Sequence, residues 1–188
     1  MSAPAAEILH FWFGEDNELR PQWFRKDAAF DALIGERFGA SIEQALAGGL
    51  AGWAEAPGSA LARILLLDQF TRNVFRDTPR AFAGDAQALA AARSMLARGH
   101  DRALPPLRRV FAYLPFEHAE DRAAQQQSLA LYAALGAADA ALASFEDYAR
   151  RHAAVIERFG RFPHRNAILG RPSTAEELAF LEQPGSRF

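Results

Sequence analysis

Apolar residues recur every three or four positions along most of the chain, the spacing that places side chains on one face of an α-helix. One clear example is the run Phe30, Leu33, Ile34 and Phe38, which follows Asp27 as a candidate N-cap. Alanine, leucine and arginine, all good helix formers, are common, whereas β-branched residues and alternating strand patterns are scarce. The pattern predicts an all-α protein of about nine or ten helices.

Capping residues, glycines and prolines predict where these helices begin and end. The predicted helices cover residues 5–13, 59–76, 85–98, 106–114, 116–135 and 139–159. A further helix is capped by Asp27 and continues, bent at Gly39, to Gly48–Gly49, and a last one begins after Ser173 or Thr174. Ser59 is the expected cap of the third helix, and Gly136 and Gly160 are expected ends. No linker, low-complexity segment or repeat separates the helices, so we expect one helical domain over residues 1–188.

Polar residues follow directly after a helical turn that should be buried on every side. That turn is Ile64–Leu67, and the polar residues after it are Asp68, Gln69, Arg72, Asn73 and Arg76. At helical spacing they form two rows, Asp68–Arg72–Arg76 and Gln69–Asn73. One interpretation is an ion pair of Asp68 with Arg72 beside the core. The other is a wall of donors and acceptors inside a cleft.

A second polar segment combines one histidine with several acids near a predicted helix start. Glu117, Glu120 and Asp121 complement the positive end of a helix, which leaves only His118 unexplained. A metal needs three or four converging ligands, and neither a His-Glu-x-x-His motif nor a second histidine four residues on is present. We therefore predict no metal and no cofactor. A metal-dependent alternative would use His118, Asp121 and His152.

The third segment is a basic loop that follows the long helix ending at Gly160. It contains Arg161, His164, Arg165 and Asn166, with Pro163 to stiffen it. Arginine binds carboxylate and phosphate through two parallel hydrogen bonds, so an anion is the expected ligand. The alternative is that these arginines pair with acidic residues and hold helices together. His152, on an apolar helix face, is more typical of a core histidine.

Composition excludes several classes of function. The chain has 188 residues, 50% of them hydrophobic, and no cysteine, which excludes disulfides, thiolate nucleophiles and cysteine metal sites. A net charge of −2 and a pI near 6.2 argue against a general nucleic-acid binder. No apolar run reaches the ~20 residues that span a bilayer, and the N-terminus does not resemble a secretory signal. We expect a soluble cytoplasmic protein without nucleic-acid or membrane partners.

Five motifs spread over nearly the whole chain resemble the bacterial family catalogued as domain of unknown function 924. They are FWFG at 11–14, WFRKDAAFD at 23–31, LLLDQFTRNVFR at 65–76, LPFEHAED at 114–121 and RFGRFPHRNAILGRPSTAEELAFL at 158–181. The resemblance implies tetratricopeptide-like antiparallel helical hairpins and no particular activity. The family pattern favours methionine and serine where this chain has Glu117 and Ala119, so it supports a role for His118 more than one for Glu117.

The sequence is compatible with three functions. The first is binding of a small anionic ligand or an acidic peptide tail, with Arg161 and Arg165 holding the anion. Its expected site is Asp68, Gln69, Arg72, Asn73, His118, Asp121, Arg161, His164, Arg165 and Asn166. The second is a hydrolase in which His118 or His164 acts as general base or acid and Asp121 or Asp68 holds its tautomer. The third is an interaction module that uses a groove between helices and performs no chemistry.

Overall fold

The computed structural model describes residues 3–186 and confirms the all-α prediction. The helices are α1 (Ala5–Phe13), α2 (Ala28–Leu46), α3 (Pro57–Ile64), α4 (Thr71–Val74), α5 (Asp85–Ala97), α6 (Pro106–Glu117), α7 (Arg122–Ala138), α8 (Ser144–Phe159) and α9 (Ala175–Leu181). Short 3₁₀ turns lie between several of them, and residues 3–186 contain no β-strand. The tetratricopeptide-like arrangement that the resemblance implies stays a prediction.

An aromatic cluster forms the centre of the core at the N-terminal end of the chain. Trp12 of α1 is buried and packs against Phe70 and Phe111, with ring centroids 5.3 and 5.7 Å apart. Phe11 lies against Phe38 of α2 at 5.0 Å. Edge and tilted ring contacts of this kind add to the gain from apolar burial. These aromatics therefore pack in the core, as their spacing indicates.

A π-helical segment, Leu65–Phe70, joins α3 to α4 in one continuous rod over residues 57–74. The wider π turn rotates the residues that follow it relative to α-helical spacing. Asp68 and Arg72 still pair, with 3.1 Å between Oδ1 and Nη1. Arg76 instead pairs with Asp31 of α2, so the predicted row of Asp68, Arg72 and Arg76 is wrong at its last member.

Several predicted helix boundaries differ from the structure. Helix α8 begins at Ser144 and not at Asp139, because Asp139 caps a separate 3₁₀ turn, Ala140–Leu142. The third helix begins at Pro57, because Ser59 donates its hydroxyl hydrogen to the carbonyl oxygens of Trp53 and Ala56 and caps nothing. Helix α6 runs through Pro115 to Glu117, and α7 begins only after Asp121. Gly136 lies inside α7, where its lack of a side chain permits close contact with Ala143.

Two other boundaries are confirmed by their capping geometry. Gly160 ends α8 with a φ of 70°, in the left-handed region that glycine reaches at little cost. Thr174 begins α9 in a capping box with Glu177, as the sequence predicts. Over residues 3–186, no helix is long and apolar enough to cross a membrane.

Candidate functional site

A cavity of about 490 Å³ lies where the start of α5, the connection between α6 and α7, and the turn after α8 meet. Its wall is formed by Pro79, Phe82, Ala83, Asp85, Ala86, Leu89, His118, Ala119, Glu120, Asp121, Arg165 and Leu169. Small-molecule sites have this size and combine apolar walls with a few fixed polar groups. The second and third polar segments of the sequence both contribute residues to this wall.

His118 on the cavity wall is held by a buried carboxylate from the π segment. Its Nδ1 lies 2.7 Å from Oδ1 of Asp68, which is 1% exposed. An ionised carboxylate accepts hydrogen bonds, so Nδ1 donates and the lone pair of the ring is on Nε2. Gln69 donates a further hydrogen bond to Asp68, at 2.5 Å. The first and second polar segments therefore meet in space.

Two arginines share one carboxylate beside this pair. Asp85, in the first turn of α5, lies 2.9 Å from Nη1 of Arg72 and 3.0 Å from Nη1 of Arg165. Arg165 is 6% exposed, and its guanidinium packs between the rings of Phe82 and Phe162 at 4.7 and 4.6 Å. Its Nη2 donates to the carbonyl oxygen of His118 at 3.0 Å. The basic loop is thus tied to the other two polar segments.

The pKa values in this cluster follow from burial and from these pairs. Burial alone would raise the pKa of Asp68, but Arg72 and His118 hold it below its usual value. Burial lowers the pKa of His118, although Asp68 acts in the opposite direction. Burial and the charge of Arg72 lower the pKa of Arg165 to about 10. At neutral pH the pair is a neutral imidazole beside an ionised carboxylate, the form a general base requires.

A second histidine and a second carboxylate lie next to His118. Glu117 is 4% exposed, and its Oε1 is 3.2 Å from Nδ1 of His152 on α8. Burial and the negative charge of Asp68 raise the pKa of Glu117 to about 8. Burial and the nearby His118 lower the pKa of His152 to about 3. One ligand atom from each of Glu117, His118 and His152 lies within 4.8 Å of the others, an arrangement that can hold a metal ion.

Other predicted site residues lie at or behind the cavity. Asp121 lines its rim and caps α7 by accepting from the backbone N–H of Ala124 at 2.8 Å. His164 lies behind the wall against the ring of Phe162, at 5.6 Å, and burial and the charge of Arg165 lower its pKa to about 4.

Three predicted site residues instead connect helices elsewhere. Asn73 donates to Asp31 of α2 at 2.7 Å. Arg161 makes a two-pronged pair with Glu177 of α9, at 2.6 and 2.8 Å. Asn166 is buried and donates to Ser173 and Glu177. The structure therefore does not bring Arg161 and Arg165 together around one anion.

Sequence reasoning missed Asp85 and Phe82, which complete the cavity. In the sequence, Asp85 is notable only as the first residue of a predicted helix. Acidic residues are common at that position whether or not they have another role. Its two arginine partners are 13 and 80 residues away along the chain. No local signal marks such a residue, because its role depends on which helices meet.

The fold and the cavity define a class of protein: an all-helical protein in which a histidine held by a buried aspartate, together with a buried arginine, lines one small-molecule-sized cavity. The chain belongs to the family described as bacterial protein of unknown function (DUF924), whose model matches residues 8–185. A solved structure of a protein of unknown function from Agrobacterium tumefaciens is 46% identical, with a TM-score of 0.86 over 95% of this chain and 96% of that one. No curated protein matches.

Proposed function

We propose that the cavity binds a small molecule that carries a carboxylate or phosphate group. The observation that supports this most is that the guanidinium groups of Arg72 and Arg165 meet at the carboxylate of Asp85 beside the cavity, with Asp68 as a second partner of Arg72. Each arginine offers five N–H donors, more than the contacts among the described residues use. An anionic group at this point would gain charge-assisted hydrogen bonds from donors that the fold already orients.

The rest of the ligand would be apolar or aromatic. Phe82, Leu89 and Leu169 supply apolar surface on the wall, and the ring of Phe82 lies against the guanidinium of Arg165. A cavity of about 490 Å³ suits a metabolite-sized molecule better than a long peptide. Arg72, Arg161 and Arg165 do not line one open groove, because Arg161 pairs with Glu177. This arrangement favours a small molecule over the acidic peptide tail and over an interaction module.

A thermal-shift screen tests the proposal. The panel contains small aromatic and aliphatic carboxylates and phosphates, with neutral amides and amines of the same skeletons as controls. A ligand present at 100 times its Kd would stabilise the fold by about 2.7 kcal/mol. We expect hits among the anions only. If the neutral analogues stabilise the protein as well as the anions do, the anion-binding proposal is wrong.

A cavity-filling variant locates the site of any hit. Ala86 is exposed and lines the cavity, so Ala86→Trp should fill its mouth without disturbing the core. Ala97 is an exposed residue at the other end of α5, which makes Ala97→Trp the matched control. We expect Ala86→Trp to abolish the stabilisation and Ala97→Trp to keep it. Loss in both variants, or in neither, would place the ligand elsewhere.

The Asp68–His118 pair supports a second candidate, hydrolysis by a water molecule that His118 deprotonates. A carboxylate at 2.7 Å from Nδ1 fixes the tautomer that leaves Nε2 as the base, which is the arrangement general-base catalysis uses. A panel of p-nitrophenyl esters and phosphates tests it. His118→Gln should reduce any turnover by about 10²–10⁴-fold, while His100→Gln, outside this cavity, should not.

The location and the partners stay predictions. A cytoplasmic protein without nucleic-acid or membrane partners is what the composition indicates. Size-exclusion chromatography with light scattering would give the oligomeric state, on which the proposed function does not depend.

A further inference from the structure

We propose that Glu117, His118 and His152 form a binding site for one divalent transition-metal ion. This site is separate from the proposed anion contact at Arg72 and Arg165, and it does not rest on the cavity having an organic ligand. Two of its residues end α6, and the third is on α8. The site keeps His118 and His152 of the metal-dependent alternative that the sequence left open, and it has Glu117 in place of Asp121.

The distances suit one ion. A ligand atom from each of the three residues lies within 4.8 Å of the other two. Zinc binds histidine nitrogen and carboxylate oxygen at about 2.0–2.2 Å. The three ligand atoms must therefore move closer together to hold one ion. Two imidazoles and one carboxylate are also the donor set of many zinc sites that keep an open position.

Both histidine rings are already oriented by an oxygen acceptor at Nδ1. His118 is held by Asp68 at 2.7 Å, and His152 is held by the carbonyl oxygen of Tyr148 at 2.9 Å. With Nδ1 protonated in both rings, each Nε2 carries the lone pair that a metal needs. A carboxylate or backbone carbonyl on the distal nitrogen is the usual support of metal-binding histidines.

The charge around Glu117 points to a cation. Glu117 is buried, and the basic group nearest to it among the described residues is Nδ1 of His152, at 3.2 Å, in a ring that its lowered pKa keeps neutral. Asp68 adds a second carboxylate on the other side of His118. A buried carboxylate is costly unless a cation or a proton compensates it. An ion bound between Glu117 and the two rings would provide that compensation, and it would be reached from the cavity that His118 lines.

Glu117 also provides the most selective variant. Glu117→Met introduces a side chain of similar length that has no oxygen donor. It removes the only oxygen ligand of the proposed set. The matched control is Glu177→Gln, which alters another buried glutamate that pairs with Arg161 outside the cluster.

The experiment is equilibrium dialysis of tag-free full-length protein against zinc chloride, after removal of metal with a chelator. Bound zinc is counted by mass spectrometry, and cobalt absorption spectra report the coordination of a substitute ion. We expect one zinc per chain in the parent and in Glu177→Gln. Glu117→Met and His152→Gln should each weaken binding by more than 100-fold, and Asp68→Asn, which loosens the support of His118, by about 10–100-fold.

Two other outcomes of the dialysis experiment would overturn the metal-site proposal. If the parent binds no zinc or cobalt, the proposal is wrong and Glu117 holds a proton instead. If all variants bind as well as the parent, the metal is elsewhere on the surface, which also overturns the assignment. Circular dichroism of each variant confirms that a loss of binding does not come from unfolding. Because His118 also lines the cavity, the ligand and ester screens use metal-free protein, which keeps the two tests independent.

Discussion

At the scale of single residues, two buried carboxylates near His118 have opposite protonation because their neighbours differ. Arg72 and His118 offset the effect of burial on Asp68, so its pKa is lowered. Glu117 has no arginine at ion-pair distance among the described residues, and burial with the charge of Asp68 raises its pKa to about 8. The sequence does not distinguish the two, since both are acids next to apolar residues.

Asp68 should contribute more to stability than any exposed acid. Removal of one member of a buried ion pair costs about 3–5 kcal/mol, because the partner is left uncompensated. We expect Asp68→Ala to lower the urea midpoint of unfolding substantially. The structure confirms that Asp68 is buried, at 1% exposed, and that it pairs with Arg72. It also pairs with His118, which the hydrolase hypothesis gave as one of its alternatives.

The control for Asp68 is Glu55, whose pair with Arg98 is exposed. Exposed pairs contribute at most about 1 kcal/mol, so Glu55→Ala should move the midpoint little. An Asp68→Ala variant as stable as the parent would contradict the stabilising role. Loss of ligand or metal binding in that variant would then show that Asp68 is retained for function.

Glu177 should make stability depend on pH in acid. Its hydrogen bonds from Arg161 lower its pKa to about 2, from an unfolded value near 4.3. A lowered folded pKa stabilises the protein above the unfolded value, and this contribution is lost as the pH falls from about 4.3 towards 2. Urea midpoints measured across this range should fall less in Glu177→Gln than in the parent. Glu176→Gln, an exposed neighbour that pairs with Arg158, should behave like the parent.

At the scale of elements, a glycine controls how closely α5 approaches the π segment. A Cβ at Gly84 would lie 2.1 Å from the backbone oxygen of Leu67, which cannot move aside as a side chain would. The close approach brings Asp85, the next residue, to the two arginines of the site. The geometry of the cavity therefore depends on the absence of a side chain at Gly84.

Gly84→Ala should destabilise the protein by more than the ~1–3 kcal/mol typical of overpacking, because the clash is with backbone. A Cβ added at Gly39, inside α2, would meet no neighbouring group of the described residues within 4 Å. Gly39→Ala should stabilise the helix by about 0.5–1 kcal/mol. Thermal melts of the two variants should shift in opposite directions. A neutral Gly84→Ala would mean that α5 can move away from the π segment at no cost.

At the scale of the whole molecule, the C-terminal segment is attached to the connection between α6 and α7 through Glu120. This carboxylate accepts two hydrogen bonds from Arg171, at 2.6 and 2.9 Å, and one from the backbone N–H of Phe162 at 2.7 Å. The alternative interpretation of the basic loop, in which arginines hold helices together, therefore describes Arg161 and Arg171. Arg165 combines that role with a place on the cavity wall.

Arg171→Leu should loosen residues 160–181 without unfolding the aromatic core. Loss of a charge-assisted partner costs about 1.5–3 kcal/mol, which corresponds to roughly ten- to hundredfold faster local amide exchange. Hydrogen exchange should accelerate in α9 and in the turn before it, and stay unchanged in α1. Arg158→Leu, which removes an exposed pair with Glu176, is the control. Uniform acceleration across the chain would indicate global destabilisation instead.

The sequence by itself determined the helical class, the burial of the aromatic stripe and the ends of helices that have strong caps. These are local properties: the spacing of apolar residues sets the buried face of a helix, and Asp27, Gly160 and Thr174 act within a few residues of themselves.

The boundaries at Ser59 and Gly136 were wrong, because contacts with Trp53 and Ala143 outweigh the local preference.

Only the tertiary structure decided which polar residues meet. Asp68 and His118 are 50 residues apart in sequence, and Arg165 and Asp85 are 80 apart. No periodicity relates such positions, since the packing of α5, α6 and the turn after α8 brings them together. The same packing separates Arg161 from Arg165, which are four residues apart, because a helix end and a turn direct them to Glu177 and Asp85 respectively.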